Sequence, residues 1–427
     1  MKAVGIIAEY NPFHNGHAYQ IQKAKELSGA DYAVVAMSGN FVQRGAPAII
    51  NKFDRAAAAL QNGADLVFEI PTLWATASAE YFAGAGIALF EATGCVDAVS
   101  FGCESDNLPL MSQIANLLAR EPEEYSRILA EGMKQGMTMP AAREKAVLSY
   151  LKAQNLHLAN ESASGLLSSP NNILALEYLK ALRCRQSNIR PLPVLRKGSS
   201  YHDTEFSREF CSAGALRRHL LQSPPDTSNI SDYVPPESVS DLSSPNTCFL
   251  AEEDFSEMLY YKLLCERENG FADYADSSAE LSSRIKSSLR GYSGYHDFCK
   301  CLKSKDMTYT RISRALLHIL LNIKKTDYEN GKRLGYIPYL RLLGFRKEAA
   351  CLLGEIKQRA SCPMIARPKK DSAPLNPMAY AIFERDVFAS DLYYGVLAQK
   401  NKTSQKNEFQ RGLVRVRYLS DGTAEVP

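Results

Sequence analysis

Two histidines three residues apart, His14 and His17 with Gly16 between them, stand out in this 427-residue chain as groups able to do chemistry together. They close the run Glu9-Tyr10-Asn11-Pro12-Phe13-His14-Asn15-Gly16-His17. An apolar stretch ends near Ala8, a turn rich in Pro and Asn follows, and helical spacing begins around residues 16–18. A spacing of three at a helix entrance lets both imidazoles address one spot. Gly16 lets a bound group come close to the main chain. A helix N-terminus adds unpaired N–H groups and a partial positive charge. The expected chemistry is the holding of a phosphate with imidazole donors beside it. A zinc site on the same pair would need further ligands, and no Cys or His cluster lies near enough in sequence. Two surface histidines at a helix start are the remaining reading.

Such a turn has to be positioned by the elements around it. Residues 4–8, 32–37, 66–70 and 96–101 are short, continuously apolar and bounded by Gly, Pro or Asp, which predicts buried strands. Between them, residues 18–27, 52–61 and 78–92 have helical spacing and good helix formers. This β-α-β-α order implies an α/β fold with a Rossmann-like parallel sheet and right-handed crossovers. Ligands of such sheets lie beyond the carboxyl ends of the strands. Gly102, at the end of Ser100-Phe101-Gly102-Cys103-Glu104, can let a base or sugar lie on the backbone, or be an ordinary strand-end glycine. Asn171, after Ser168-Ser169-Pro170, either caps the helix over 171–182 or binds ligand. Arg196 ends the strand over 192–195, where a phosphate-binding cation belongs. The loop Met37-Ser38-Gly39-Asn40-Phe41-Val42-Gln43-Arg44-Gly45 must also reach the ligand face. Its small and amide residues suit a tight pocket, and Arg44 is placed for phosphate or RNA.

Further along, residues 107–160 read as helical, 198–203 as a turn, and 214–221 as a short helix. From 222 to 245 the chain is rich in Ser, Pro and Asp and reads as a linker or surface loop. Residues 250–358 are predominantly helical, and the alternating Leu-Val-Arg-Val-Arg-Tyr-Leu after residue 400 suggests a late strand. The expected organisation is a nucleotide-binding domain over 1–221, the linker over 222–245 and a mainly α-helical, basic domain over 246–427.

Net charge is only +3, but its distribution is uneven. Residues 284–370 hold 20 Lys or Arg against 6 Asp or Glu, so this stretch carries +14 and the remainder −11. Such a stretch fits a polyanionic partner, or a solvated helical surface. Within it, Arg311 and Arg314 come just before an apolar helical run, and Lys324, Lys325, Lys332, Arg333, Arg341, Arg346 and Lys347 follow. Tyr309 and Tyr336 are stacking or packing residues. Ten cysteines without a CxxC pair argue for free thiols in a reducing, cytoplasmic setting. No apolar run is long enough to cross a bilayer, so no membrane role is expected.

His-x-Gly-His after a first strand resembles the signature of the HIGH-type nucleotidyltransferase superfamily. Ser212-Ala213-Gly214-Ala215-Leu216-Arg217 is similar to that superfamily's second phosphate motif, with Gly214 where a Ser or Thr is common; Arg217 is a phosphate ligand or a surface arginine. MKAVGIIAEYNPFHNGH, MSGNFVQRG, FGCESDN, SSPNNILALEYLKAL, RKGSSYHD and the later Tyr309-Thr310-Arg311-Ile312-Ser313-Arg314 together resemble the bacterial tRNA(Met) cytidine acetate ligase family. That resemblance implies ATP and acetate as substrates, giving acetyladenylate and pyrophosphate, and transfer of acetyl to N4 of the wobble cytidine of elongator tRNA(Met). It implies ATP along Ile7, Ala8, Glu9, Tyr10, Asn11, Pro12, Phe13, His14, Asn15, Gly16, His17, Ala18, Tyr19 and Gln20, with Gly102, Asn171 and Arg196. His14 and His17 would be catalytic, and Mg²⁺ would travel with the phosphates. An adenylyltransferase of a phosphate-bearing metabolite and an inactive RNA-binding protein are the competing expectations.

Overall fold

The computed structural model describes residues 1–105, 107–154, 166–167, 169–196, 211–244, 246–305, 307–418 and 424–425. Its first half follows the apolar runs. The strands are β1 (Ala3–Ala8), β2 (Tyr32–Ser38), a short antiparallel pair β3 (Phe41–Val42) and β4 (Ala46–Pro47), β5 (Leu66–Ile70), β6 (Ala98–Cys103) and β7 (Arg190–Leu195). Strands β7, β6, β1, β2 and β5 lie side by side and parallel. From β1 the chain proceeds to β2 and β5 on one side, then returns to β6 and β7 on the other. This reversal opens a crevice at the carboxyl ends of β1 and β6, where ligands of such sheets bind.

Helix α1 (Asn15–Ser28) follows β1, and α2 (Lys52–Gln61) precedes β5. The helix Ala79–Thr93 lies directly on β1 because two glycines permit it. A Cβ on Gly5 would sit 2.6 Å from the Phe90 ring, and one on Gly86 would sit 2.4 Å from Ile7. Residues 107–154 form three helices, Leu108–Arg120, Glu123–Lys134 and Met139–Ala153. The end of the expected 107–160 helical region, Ser168 and the turn at 198–203 lie outside the described residues.

One expectation holds with an exception and one needs correction. Residues 250–358 are predominantly helical, but Leu340–Arg346 forms β8, which pairs antiparallel with β5 and extends the sheet. Short β9 (Met364–Ile365) and then β10 (Val414–Tyr418), the late strand, pair with the far side of β8, and β11 (Ala424–Glu425) closes a hairpin on β10. An uncovered β5 edge would present unpaired backbone groups, and β8 covers it. The sheet is therefore mixed, and it continues into the 246–427 region through one shared core. Residues 222–245 are not a free linker. A turn at Ile230–Asp232 and the helix Pro236–Ser243 place Ile230, Val234 and Leu242 in a small second core with Ile49, Ile50, Leu216 and Phe249. Among the described residues no helix is long and apolar enough to cross a membrane, and the ten cysteines are unbridged.

Candidate active site

The main-chain turn after β1 is held in an uncommon shape. Tyr10 has φ +48°, and its buried ring packs edge-on against Phe13 and His17, each with centroids 4.8 Å apart. Helix α1 then starts at Asn15, earlier than the periodicity suggests, because His14 is its N-cap. The His14 Nδ1 accepts the Gly16 N–H at 3.1 Å, and the His17 Nδ1 accepts the His14 N–H at 3.2 Å. The two histidines thus form a reciprocal capping box.

This arrangement corrects the expectation of free N–H groups at the helix start. Asn15 N–H donates to the Tyr233 carbonyl at 2.9 Å, and His17 N–H to the His14 carbonyl at 2.8 Å. The main chain is occupied, so the side chains carry the chemistry. With both Nδ1 atoms accepting, each neutral ring keeps its proton on Nε2. Burial lowers the pKa of His14 to about 3, helped by the nearby positive charges of Arg196 and Arg217. Burial, His14 and Arg196 hold His17 well below the usual histidine range. The rings stack with centroids 3.7 Å apart. Two uncharged imidazoles therefore stand together, each with one N–H to offer an anion.

They line a cleft of about 240 Å³ at the strand-order reversal. Its wall includes Ile7, Ala8, Glu9, Tyr10, Asn11, Gln20, Gly102, Asn171, Arg196 and Arg217. Gly16 and Tyr19 line an adjoining pocket, which shares His14, His17, Gln20, Gly102 and Arg196 with the cleft. Pro12, Phe13, Asn15 and Ala18 are in neither wall. Phe13 supports the His17 ring from behind, at 5.5 Å between centroids, and Asn15 anchors the turn to residues 232–233.

The cations and amides converge from separate elements. Arg196 follows β7, and its main-chain N–H bonds to Cys103 beside Gly102. A Cβ on Gly102 would make only ordinary contact with the Arg196 side chain, at 3.5 Å, so the space over this glycine is not filled by protein. Arg217, on the helix Ala213–Leu220, donates to the Asn11 carbonyl at 2.7 Å and so braces the turn from across the cleft. Ser212 caps that helix through its hydroxyl. Asn171 does not cap its helix, Pro170–Cys184, for its amide donates to Glu104 at 2.8 Å.

Several residues of the site escaped notice in the sequence. Phe82, Phe101, Leu174 and Tyr178 give the cleft an apolar inner wall, and only their position on inward helix and strand faces marks them. Arg55, fully buried on α2, donates to the carbonyls of Glu9 (2.5 Å), Ser38 (3.2 Å), Ile50 (3.2 Å) and Gly39. It thereby ties together the loops that leave β1 and β2. Lys52, one turn earlier, contacts both oxygens of Glu69 (2.9 and 2.7 Å) and reaches Glu408 at 2.9 Å. Burial opposes its charge, but Glu408 and Glu69 outweigh that and hold its pKa up. The available signal was two cations, Lys52 and Arg55, at the start of the alanine-rich helix KFDRAAAALQ.

The loop 37–45 reaches the cleft through Gln43 and Arg44, and Gln43 N–H donates to the Glu9 carboxylate at 3.0 Å. Its far end is clamped to the helix Tyr309–Leu320. Gly45 has φ +77°, its carbonyl accepts from Ser313 at 2.9 Å, and a Cβ there would lie 2.4 Å from the Arg314 nitrogen. Among the described residues no three His, Cys, Asp or Glu side chains gather to hold a metal. The cleft offers Glu9 as a carboxylate, which fits a Mg²⁺ carried mainly by phosphate oxygens and water.

The basic stretch divides in the structure. Arg314 is paired with Asp276 at 2.8 Å, buried Arg341 with Glu408 at 2.7 Å, and Arg346 with Asp65 at 3.3 Å. These three serve the fold, whereas Arg311, Lys325, Arg333 and Lys347 remain exposed. Tyr336 packs on Trp74 with centroids 4.7 Å apart, and the Tyr309 hydroxyl is committed to His296 at 2.6 Å. The packing reading holds for both tyrosines.

A family model described as HIGH Nucleotidyl Transferase matches residues 1–409. The chain is 36% identical over 419 residues to a tRNA(Met) cytidine acetate ligase of Thermoanaerobacter sp. (strain X514), covering 97% of this chain and 100% of that one. It is 34% identical to the protein of that name from Acetivibrio thermocellus, again covering 97% and 100%. A crystal structure of Thermotoga maritima TmcAL bound with alpha-thio ATP superimposes with a TM-score of 0.88 at 30% identity, over 98% of this chain and all of that one. The apo form of that protein gives 0.90 at 31% identity with the same coverage.

Proposed function

The chain belongs to the tRNA(Met) cytidine acetate ligase family, and we propose that it joins acetate to AMP in the cleft and passes the acetyl group to a tRNA. A carboxylate oxygen of acetate attacks the α-phosphorus of ATP, and the bond from that phosphorus to the α,β-bridging oxygen breaks to release pyrophosphate. The exocyclic N4 of the wobble cytidine of elongator tRNA(Met) then attacks the acetyl carbon. The mixed-anhydride bond breaks, AMP leaves, and N4 gives up one proton to form N4-acetylcytidine.

The observation that carries this reading is the neutral, stacked pair His14 and His17 set between Arg196 and Arg217. Neutral N–H donors and fixed guanidinium charges meet the charge that builds on the phosphates as the α-phosphorus is attacked. Mg²⁺ would neutralise the leaving pyrophosphate. The apolar wall of Phe82, Phe101 and Leu174 keeps water from a hydrolysable adenylate. The acceptor base must leave its stack to enter, and orientation beside a reactive anhydride supplies much of the rate. Residues 1–221 supply the ATP site, and exposed cations of 246–427 supply tRNA contacts. Unbridged cysteines and the tRNA substrate fit a cytoplasmic enzyme.

ATP–pyrophosphate exchange with Mg²⁺ tests the first step, with acetate present or withheld. Acetate-dependent exchange, alone or once tRNA is added, supports the ligase. Absence of exchange under both conditions overturns it and favours an adenylyltransferase acting on another acceptor.

A further inference from the structure

Away from the cleft, the far edge of the sheet holds a second feature built for anions. Strands β9 and β10 occupy successive stretches of one edge of β8: Ile365 lies opposite Arg341, and Val414 opposite Gly344. A notch opens where one strand leaves and the other arrives, lined by Lys357, Arg367 and Arg415 with Asp371 as its carboxylate. All three cations are exposed. Asp371 accepts the main-chain N–H groups of Ala366 (3.0 Å) and Arg367 (2.7 Å), and touches the Arg367 guanidinium only at 3.5 Å. Among the described residues, Lys357 and Arg415 have no carboxylate within ion-pair distance. Buried Arg341, by contrast, is neutralised by Glu408. The notch thus keeps a net positive charge that the fold does not use.

Strand register relates this notch to the cleft. Ala8 is opposite Met37, Met37 opposite Glu69, Glu69 opposite Arg341, and Arg341 opposite Ile365. One row therefore crosses five strands from the cleft wall to the notch. Four steps of roughly 4.8 Å make that row about 19 Å long. Arg367 lies two residues beyond its end. Arg415 lies opposite Phe345, four residues further along β8 than Arg341, so it stands roughly 13 Å off this row, toward the amino ends of the parallel strands.

We propose that this notch holds backbone phosphates of the tRNA stem adjoining the base that enters the cleft. The proposal rests on the ligase reading and adds which surface grips the stem. Duplex RNA presents phosphates and 2′-hydroxyls rather than readable base edges, so a pair of unneutralised cations positions the arm without reading its sequence.

The test uses the full-length enzyme, whole tRNA(Met) and a hairpin of its anticodon stem and loop, with binding measured from 50 to 200 mM salt. Lys357→Ala/Arg415→Ala should bind both RNAs at least tenfold more weakly at low salt. Each lost contact should flatten the slope of log K against log salt by roughly 0.7–0.9. Affinity for ATP should match wild type. Where Arg415→Ala disturbs β10, as heat denaturation would reveal, Lys357→Ala alone must still flatten the slope by one such step. An unchanged slope, with wild type binding tRNA normally, overturns the notch and leaves the ligase reading standing. A loss seen with whole tRNA but not the hairpin overturns the assignment to this stem. Wild-type protein that binds neither RNA overturns both.

Discussion

Replacing His17 by Asn separates the two jobs that its imidazole does. The Nδ1 accepts the His14 N–H at 3.2 Å in the capping box, and the Nε2–H is the donor offered to phosphate. Asn places a carbonyl oxygen near the Nδ1 position and nothing at Nε2. The capping bond, worth ~1 kcal/mol, should survive in His17→Asn and be lost in His17→Ala. Loss of one preorganised donor to a developing oxyanion costs about 2.7–4 kcal/mol, or roughly 10²- to 10³-fold in rate. Acetate-dependent ATP–pyrophosphate exchange should therefore fall by that factor in both variants. Melting temperature should drop only for Ala, and by about 2 °C or less. Affinity for tRNA should stay near wild type in both. Exchange within about threefold of wild type in His17→Asn would refute a donor role for Nε2. A tRNA affinity that fell as far as the exchange rate would refute the separation of ATP and RNA sites.

The depressed pKa of His14, about 3, means that its ring stays neutral through pH 5 to 8 in the folded protein. The unfolded chain protonates near 6.5, so this group's contribution to stability is complete above 6.5 and is lost as pH falls toward 3. Imidazole resonances of His14 and His17 should not titrate between pH 5 and 8 by NMR in the unliganded enzyme; a midpoint near 6.5 would contradict neutral donors. Gly102→Ala should leave the melting temperature unchanged, since its methyl meets Arg196 only at 3.5 Å. It should weaken ATP binding about tenfold or more by calorimetry, and unaltered affinity would remove Gly102 from the nucleotide wall. Arg314→Ala should destabilise by about 1–3 kcal/mol in denaturant unfolding, because Asp276 loses its 2.8 Å partner in a mostly buried setting. Arg311→Ala should leave stability alone and flatten the salt dependence of tRNA binding by roughly one phosphate contact; equal behaviour of the two variants would erase that distinction.

Much of the site was legible because it is local. A buried strand, a Pro/Asn turn and a helix start are written in consecutive residues, so His14, Gly16 and His17 were placed within a residue or two of where they stand. Gly102, Arg196 and Arg217 were reachable because each ends a recognisable element or belongs to a motif of the HIGH-type superfamily. The expectation of free helix N–H groups failed for a nonlocal reason: the carbonyl that takes the Asn15 N–H belongs to Tyr233, more than 200 residues away. The linker reading of 222–245 failed alongside it. Composition shows that a segment is polar, but not that Ile230, Val234 and Leu242 find Ile49, Ile50 and Leu216 to bury against.

The sequence by itself determined the parallel core, the crevice and the residue types that face it, because apolar period and turn chemistry act over a few neighbours. Tertiary structure alone decided that Leu340–Arg346 is a strand, since only the open edge of β5 selects it. Pairing across the fold also sorted the basic residues. Arg314, Arg341 and Arg346 meet Asp276, Glu408 and Asp65 and become part of the fold. Arg311, Lys357 and Arg415 form no ion pair among the described residues and stay exposed. A cation's role depends on what lies within a few ångströms of it, and for these residues that neighbour comes from elsewhere in the chain.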